Sequence, residues 1–236
     1  RVLRAHGITR ISINPQTMQQ KTLDLIGRKH TVGDICRVYE MARILGFDNI
    51  NMDLIAGLPG ERIADMEDTL RQIREMSPDS LTVHSLAIKR AAKMGREKSE
   101  TGYIKDLAEL TEHPEEMAKE LSAMIEAAHE TAEKMRLLPY YLYRQKNIAG
   151  NFENVGYAKV DKAGIYNILI MEEKQSIVAA GAGASTKIVL DKPMIVPGSK
   201  NGRKTTLMRV ENVKDIRAYI SRIDEMIERK GEWLWH

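Results

Sequence analysis

Three short apolar runs in the first 88 residues, with amphipathic helical stretches between them, limit what this chain can fold into more than any other feature. Residues 8–13 alternate apolar and polar positions and are rich in β-branched side chains, the pattern of a strand. Pro15 ends the run, because it cannot donate to a ladder. A short helix is expected over 17–26. Thr31, with Asp34 three residues on, gives a helix start, and Ile35, Val38, Tyr39, Ala42 and Leu45 then recur at helical spacing up to Gly46. A second strand, 50–56, runs into Gly57-Leu58-Pro59-Gly60. A helix over 61–76 places Ile63, Met66, Leu70 and Ile73 on one face, and a third strand covers 81–88. This order is two successive βαβ units, which predict a parallel sheet. Parallel sheets hold ligands beyond the carboxyl ends of their strands. Those ends are Asn14-Pro15-Gln16, residues 53–57 and residues 84–87.

The second half has a different texture. Residues 95–111 are polar and read as a loop or irregular insert. Pro114 opens a long helix with Met117, Leu121, Met124 and Ala128, closed by Pro139. Strands are expected at 139–144, 165–171, 176–180, 187–190 and 205–210, with a hairpin tip at 198–202. A last helix, 213–229, lines up Val213, Ile216, Ile220, Ile223 and Ile227. With 43% hydrophobic and 29% charged residues the composition is that of a globular chain. A net charge of +3 is too mild to argue for nucleic acid and suits a small acidic ligand. No apolar run approaches the ~20 residues a membrane span needs. The single cysteine, Cys36, excludes internal disulfides and a self-contained cysteine-rich metal site. The chain opens on Arg1 without a signal-peptide pattern, so the expectation is the interior of a longer, cytoplasmic protein.

Several residues are placed to carry chemistry. Asp53 sits in an apolar strand near its ligand end, where its carboxylate needs a donor: a ligand hydroxyl or ammonium, or the backbone of the following turn. Position alone does not separate the two. Gln16 offers a donor and an acceptor. Arg28 offers a fork for a carboxylate, or simply a charge at a helix carboxyl end. The Gly57-Leu58-Pro59-Gly60-Glu61 turn could bring helix N–H groups to an anion, as many ordinary connections could. Gly181-Ala182-Gly183-Ala184-Ser185-Thr186-Lys187 fits neither the dinucleotide fingerprint nor the P-loop, and a tight turn is its simplest account. Tyr140, Tyr141, Tyr143, Arg144, Gln145 and Lys146 suit a flat aromatic ligand with carboxylate arms, although alternating Tyr is also plain sheet packing. Cys36 reads as a buried structural thiol and His84 as a core or rim histidine.

Three stretches in order carry a family resemblance: Arg10-Ile11-Ser12-Ile13-Asn14-Pro15-Gln16-Thr17, then Leu25-Ile26-Gly27-Arg28-Lys29-His30, then Asn51-Met52-Asp53-Leu54-Ile55-Ala56-Gly57-Leu58-Pro59-Gly60-Glu61. They resemble the radical S-adenosylmethionine family, in the branch of oxygen-independent coproporphyrinogen III oxidase (coproporphyrinogen dehydrogenase). Leu81-Thr82-Val83-His84-Ser85-Leu86, Asn154-Val155-Gly156-Tyr157-Ala158 and the 181–185 turn fit the same branch, so the likeness covers most of residues 7–190. The fold it implies is α/β: a partial (βα) TIM-like barrel, its last three strands in residues 1–137, followed by a smaller α+β region, 138–236, that caps the substrate.

The resemblance also implies that Gln16, Arg28, Asp53 and Ile55 bind S-adenosylmethionine, Ile55 beside the adenine. It reverses the helix-end account of Arg28. Tyr141, Tyr143, Arg144 and Lys146 are the residues expected to meet substrate carboxylates. The implied activity is removal of hydrogen and CO2 from propionates of coproporphyrinogen III, leaving the vinyl groups of protoporphyrinogen IX in haem biosynthesis. An electron donor and an acceptor would serve a monomeric enzyme, with no nucleic acid involved. A haem-binding or haem-transfer protein of the same superfamily is the alternative. The family's 4Fe–4S cluster is held by a CxxxCxxC loop that this sequence lacks, and one cysteine cannot supply three thiolates. The expectation is therefore a carboxyl-terminal portion, inactive alone, with cluster ligands upstream.

Overall fold

The computed structural model describes residues 1–86, 114–144, 153–196, 198–199 and 201–235. They form two compact units, Arg1–Ala163 and Gly164–His236. The first unit runs α1 (Val2–Ala5), β1 (Arg10–Ser12), α2 (Gln20–Leu25), α3 (Val32–Ile44), β2 (Asn49–Ala56), α4 (Ile63–Met76), β3 (Ser80–Ser85), α5 (Pro114–Lys134), β4 (Leu138–Arg144) and β5 (Glu153–Ala158). Its sheet has the order β1-β2-β3-β5-β4. The first three strands are parallel, as the two βαβ units predict, and β5 and β4 add antiparallel to them.

The two faces of this sheet differ. Ile50, Met52, Leu54 and Ala56 of β2 are fully buried, and Leu81 and Val83 of β3 join them in one core with Met66, Leu70 and Ile73 of α4 and Leu121 and Met124 of α5. The alternate positions, Asn49, Asn51 and Asp53 on β2 and Ser80, Thr82 and His84 on β3, point the other way. A parallel sheet covered on both faces would read as a continuous apolar run. This one is polar on one side, and that side carries the candidate site residue Asp53.

Local chemistry explains the helix ends. Thr31 and Asp34 make a reciprocal capping box at α3. Helix α5 stops at Lys134, short of Pro139, because Arg136 turns left-handed (φ 56°) and Leu137 N–H reaches back to the Ala132 carbonyl at 2.9 Å. At the amino-terminal ends of β2 and β3, the buried Asp79 accepts from Arg43 at 2.6 Å, from Lys159 at 2.9 Å and from the Ile50 amide at 2.9 Å. Burial alone would push this carboxyl up, but the two cations and the amide hold it below the usual carboxylate range.

The second unit consists of α6 (Ile165–Met171), the antiparallel pair β6 (Ser185–Ile195) and β7 (Lys204–Glu211), α7 (Ile216–Ser221) and α8 (Ile223–Leu234). Ile188, Met208 and Val210 form its apolar centre, with Trp233 and Leu234 packed against them, while Trp235 is exposed.

Four expectations change here. The unit boundary falls at Ala163/Gly164 rather than 137/138, because β4 and β5 extend the first sheet. Residues 165–171, expected as a strand from their isoleucines, are helix α6. Residues 176–180 contribute one bridge, Ile177 to Lys187; elsewhere side chains replace the ladder, Thr186 Oγ1 accepting from Ala179 N–H at 3.0 Å and Ser176 Oγ from Val189 N–H at 2.9 Å. The single helix expected at 213–229 is broken at Arg222, whose backbone leaves helical geometry (φ −121°, ψ 27°) while its guanidinium grips Glu225. The strand 153–158 was not expected, and Gly156 within it is the reason a strand pattern is hard to see.

Candidate functional site

Beyond β1 the chain does not leave the sheet at once. Gln16 bridges to β2 in parallel: its N–H donates to the Asp53 carbonyl at 3.0 Å, and its carbonyl accepts from Ile55 N–H at 2.9 Å. Gln16 holds a left-handed backbone (φ 70°) to do so. Sequence position alone made neighbours of Gln16, Asp53 and Ile55 plausible; this bridge brings them together, all half-buried, at the carboxyl edge of β1 and β2. Arg28 stands apart. It is exposed on the turn after α2, and its guanidinium makes no hydrogen bond or ion pair among the described residues.

The turn that presents Gln16 is clasped from behind. Thr17 is buried, and its hydroxyl donates to Glu61 Oε1 at 2.5 Å and lies 3.3 Å from Thr69 Oγ1, which accepts from Met18 N–H. Burial pushes the Glu61 carboxyl up. Glu61 thus ties the Pro15-Gln16-Thr17 turn to the Gly57-to-Gly60 turn after β2, a role its sequence did not disclose. The start of α4 is not open to an anion: Asp65 accepts from Arg62 N–H, and Glu120 from Ile63 N–H, both at 2.9 Å.

On the polar face, Asp53 accepts from Asn51 Nδ2 at 2.7 Å. Asn51 is buried, and its Oδ1 accepts from Thr82 Oγ1 at 3.4 Å. Thr82 and Tyr141 flank Gly156 in the sheet register. Burial pushes the Tyr141 phenol up, and the Asp53 charge adds to this. Its ring lies over Gly156, where a Cβ would fall 1.9 Å from Tyr141 Cε1. Further along, the buried Asn154 accepts from Ser85 N–H at 2.9 Å. Tyr143 is exposed on β4 opposite Asn154, and Arg144 follows opposite Glu153. The Arg144 side chain and all of Lys146 lie outside the described residues.

The glycine-rich turn of the second unit is spoken for. Gly181 N–H donates to the Tyr219 hydroxyl, Gly183 N–H to the Val213 carbonyl, and Asn212 Nδ2 to the Gly181 carbonyl. Strand β6 follows it rather than a helix, so it is a structural turn and no phosphate cradle.

The radical SAM superfamily model matches residues 1–73. Over 235 residues, 99% of the chain, the sequence is 40% identical to the oxygen-independent coproporphyrinogen-III oxidase-like protein HemZ of Bacillus subtilis. The chain is similar to members of the radical SAM, coproporphyrinogen-oxidase-like family. Shorter matches within the family include the heme chaperone HemW of Bacillus subtilis, 33% identical over 37% of the chain and 23% of that protein. The oxygen-independent coproporphyrinogen III oxidase of Escherichia coli is 34% identical over 36% of the chain and 19% of that protein. In fold, the chain is similar to the solved Escherichia coli enzyme HemN, with a TM-score of 0.59 and 16% identity over 94% of the chain. The chain spans 42% of HemZ and 45% of that solved chain.

Two groups that the radical SAM family implies meet this site differently. A nucleoside with an amino-acid arm fits the donor set: an anchored carboxylate on Asp53, an amide on Gln16 and an apolar wall at Ile55, all on one edge. A 4Fe–4S cluster does not fit the residues present. The one cysteine, Cys36, lies on α3 against the core, and no three His, Cys, Asp or Glu side chains are grouped to hold a metal among the described residues. Among those residues, too, no helix is long and apolar enough to cross a membrane.

Proposed function

We propose that the protein oxidatively decarboxylates the propionates of coproporphyrinogen III to vinyl groups, giving protoporphyrinogen IX. The observation that carries this reading is the Asn51-anchored Asp53 beside Gln16 and Ile55, on the open polar edge of a sheet similar in fold to that of a coproporphyrinogen III oxidase. Bound there, S-adenosylmethionine would supply hydrogen-abstracting radical chemistry. Asp53 would accept from hydroxyl or ammonium groups of the cofactor, Gln16 would donate and accept beside it, and Ile55 would cover the adenine. Arg28 would swing its free guanidinium to the cofactor carboxylate. The protein's part is to fix these groups and to keep water from the reacting carbon. Tyr141, Tyr143, Arg144 and Lys146, on and after β4, would receive the porphyrinogen and its carboxylates. An electron donor and an acceptor complete the reaction, and the soluble enzyme would work in the cytoplasm.

The test is anaerobic incubation of the full-length, cluster-loaded protein with coproporphyrinogen III and S-adenosylmethionine, with the porphyrins separated after oxidation. Protoporphyrin is the expected product. Arg144→Ala is expected to weaken coproporphyrinogen binding about tenfold, the loss of one charge-assisted pair; unchanged affinity rejects that assignment. The likeness to HemW favours a second reading, a haem-binding or haem-transfer protein. Tight haem binding with no turnover would establish it in place of the first.

A further inference from the structure

Four side chains on three strands line up across the polar face: Tyr141 of β4 and Thr82 of β3 flank Gly156, the Thr82 hydroxyl donates to Asn51 of β2, and the Asn51 amide donates to Asp53 of the same strand. The line passes over β5, which separates β4 from β3 in the sheet, and it can do so because Gly156 leaves room for the Tyr141 ring to lie flat across that strand. The two middle members are buried, Asn51 at 4% and Thr82 at 2% exposure, so water cannot replace a missing partner cheaply. Asn51 is also held from the far side, its Nδ2 lying 3.4 Å from Ser12 Oγ on β1. An Asp53 carboxylate so gripped through Oδ1 has its second oxygen turned by the protein rather than by solvent.

We propose that Tyr141, Thr82 and Asn51 are positioning residues that orient Asp53 for S-adenosylmethionine, so that the strand bearing the substrate residues sets the geometry of the cofactor carboxylate. The inference rests on the cofactor-site reading above and deepens it. It gives Tyr141 a task distinct from Tyr143 and Arg144: its ring shapes the floor of the substrate side, while its hydroxyl acts on the cofactor side. Order of binding follows. Movement of β4 on arrival of substrate would reach Asp53 through Thr82 and Asn51, without any change in the core behind the sheet.

The experiment measures S-adenosylmethionine affinity by anaerobic equilibrium dialysis of the full-length, cluster-loaded protein, with thermal unfolding of each variant recorded beside it. Asp53→Ala tests the site itself and is expected to abolish measurable binding. Thr82→Val keeps the shape and removes the hydroxyl; it is expected to weaken binding about fivefold, the worth of one neutral hydrogen bond. Thr82→Ser restores the hydroxyl and is expected to bind within about twofold of the parent, a rescue that a merely structural role would not produce. Tyr141→Phe is expected to act in the same direction as Thr82→Val, and the double variant to add little beyond either, as members of one chain do. If Asp53→Ala leaves affinity unchanged, the cofactor-site reading falls and this inference with it. If Asp53→Ala abolishes binding while Thr82→Val and Tyr141→Phe bind as the parent does, the site stands and the relay is overturned. If Thr82→Val melts early, Tyr141→Phe, which removes no buried volume, decides alone.

Discussion

Gly156 shows how much one missing methyl can hold open. A Cβ there would sit 1.9 Å from Tyr141 Cε1 and 2.4 Å from Cδ1, closer than any real contact, so the ring must leave the face. Gly156→Ala is expected to destabilise the first unit by about 1–3 kcal/mol, the usual cost of overpacking a well-filled site. In a Tyr141→Ala background the same change should cost close to nothing, because the ring it strikes is gone; a double-mutant cycle in urea measures the difference. None of this was legible in the sequence. Asn154-Val155-Gly156-Tyr157-Ala158 could be matched to the family but did not read as a strand, since Asn and Gly weaken every strand signal. Asp53 was legible as a carboxylate out of place in an apolar run. Its partner Asn51 lay two residues away in plain view and had no signal of its own, because only the pleat puts i and i+2 on one face.

At the level of elements, the pattern of apolar residues proved a good guide wherever a helix or strand buries one clean face. Helices α3 and α4 and strands β2 and β3 came out near the expected positions for that reason. Where burial is shallow the guide fails: in α6, Ile165 and Tyr166 are exposed, so β-branched content spoke for a strand that no neighbouring sheet claims. Elements are also joined by charge. Asp79, with Arg43 from α3 and Lys159 after β5, fastens the ends of three strands. Because its folded carboxyl lies below the ordinary value, its contribution is fully present above about pH 4 and is lost as pH falls through the folded value. Arg43→Ala should therefore cost about 2 kcal/mol at pH 7. The gap to the parent should narrow as the solution is taken toward pH 2. Unfolding by urea at a series of pH values checks it, and a gap independent of pH would show that Arg43 acts only through its packing on Tyr39.

For the molecule as a whole, the two units are unequally provided for. The first buries a broad core from three parallel strands and four helices, while the centre of the second is Ile188, Met208 and Val210 with a few partly covered neighbours. Hydrogen exchange should find the amides of β6 and β7 far less protected than those of β2 and β3, since local stability follows buried apolar contact. Equal protection would mean that the second unit draws its stability from somewhere other than its own centre. The strand expected to be best protected is also the one that carries the candidate site. In β2, Met52 and Leu54 are fully buried, and Asp53 stands between them. A slip of one residue would plunge the carboxylate into oil and lift two hydrocarbon chains into water. The proposed ligand edge therefore cannot blur gradually on warming; the place of Asp53 is indexed by grease and should stay in register until the whole unit melts.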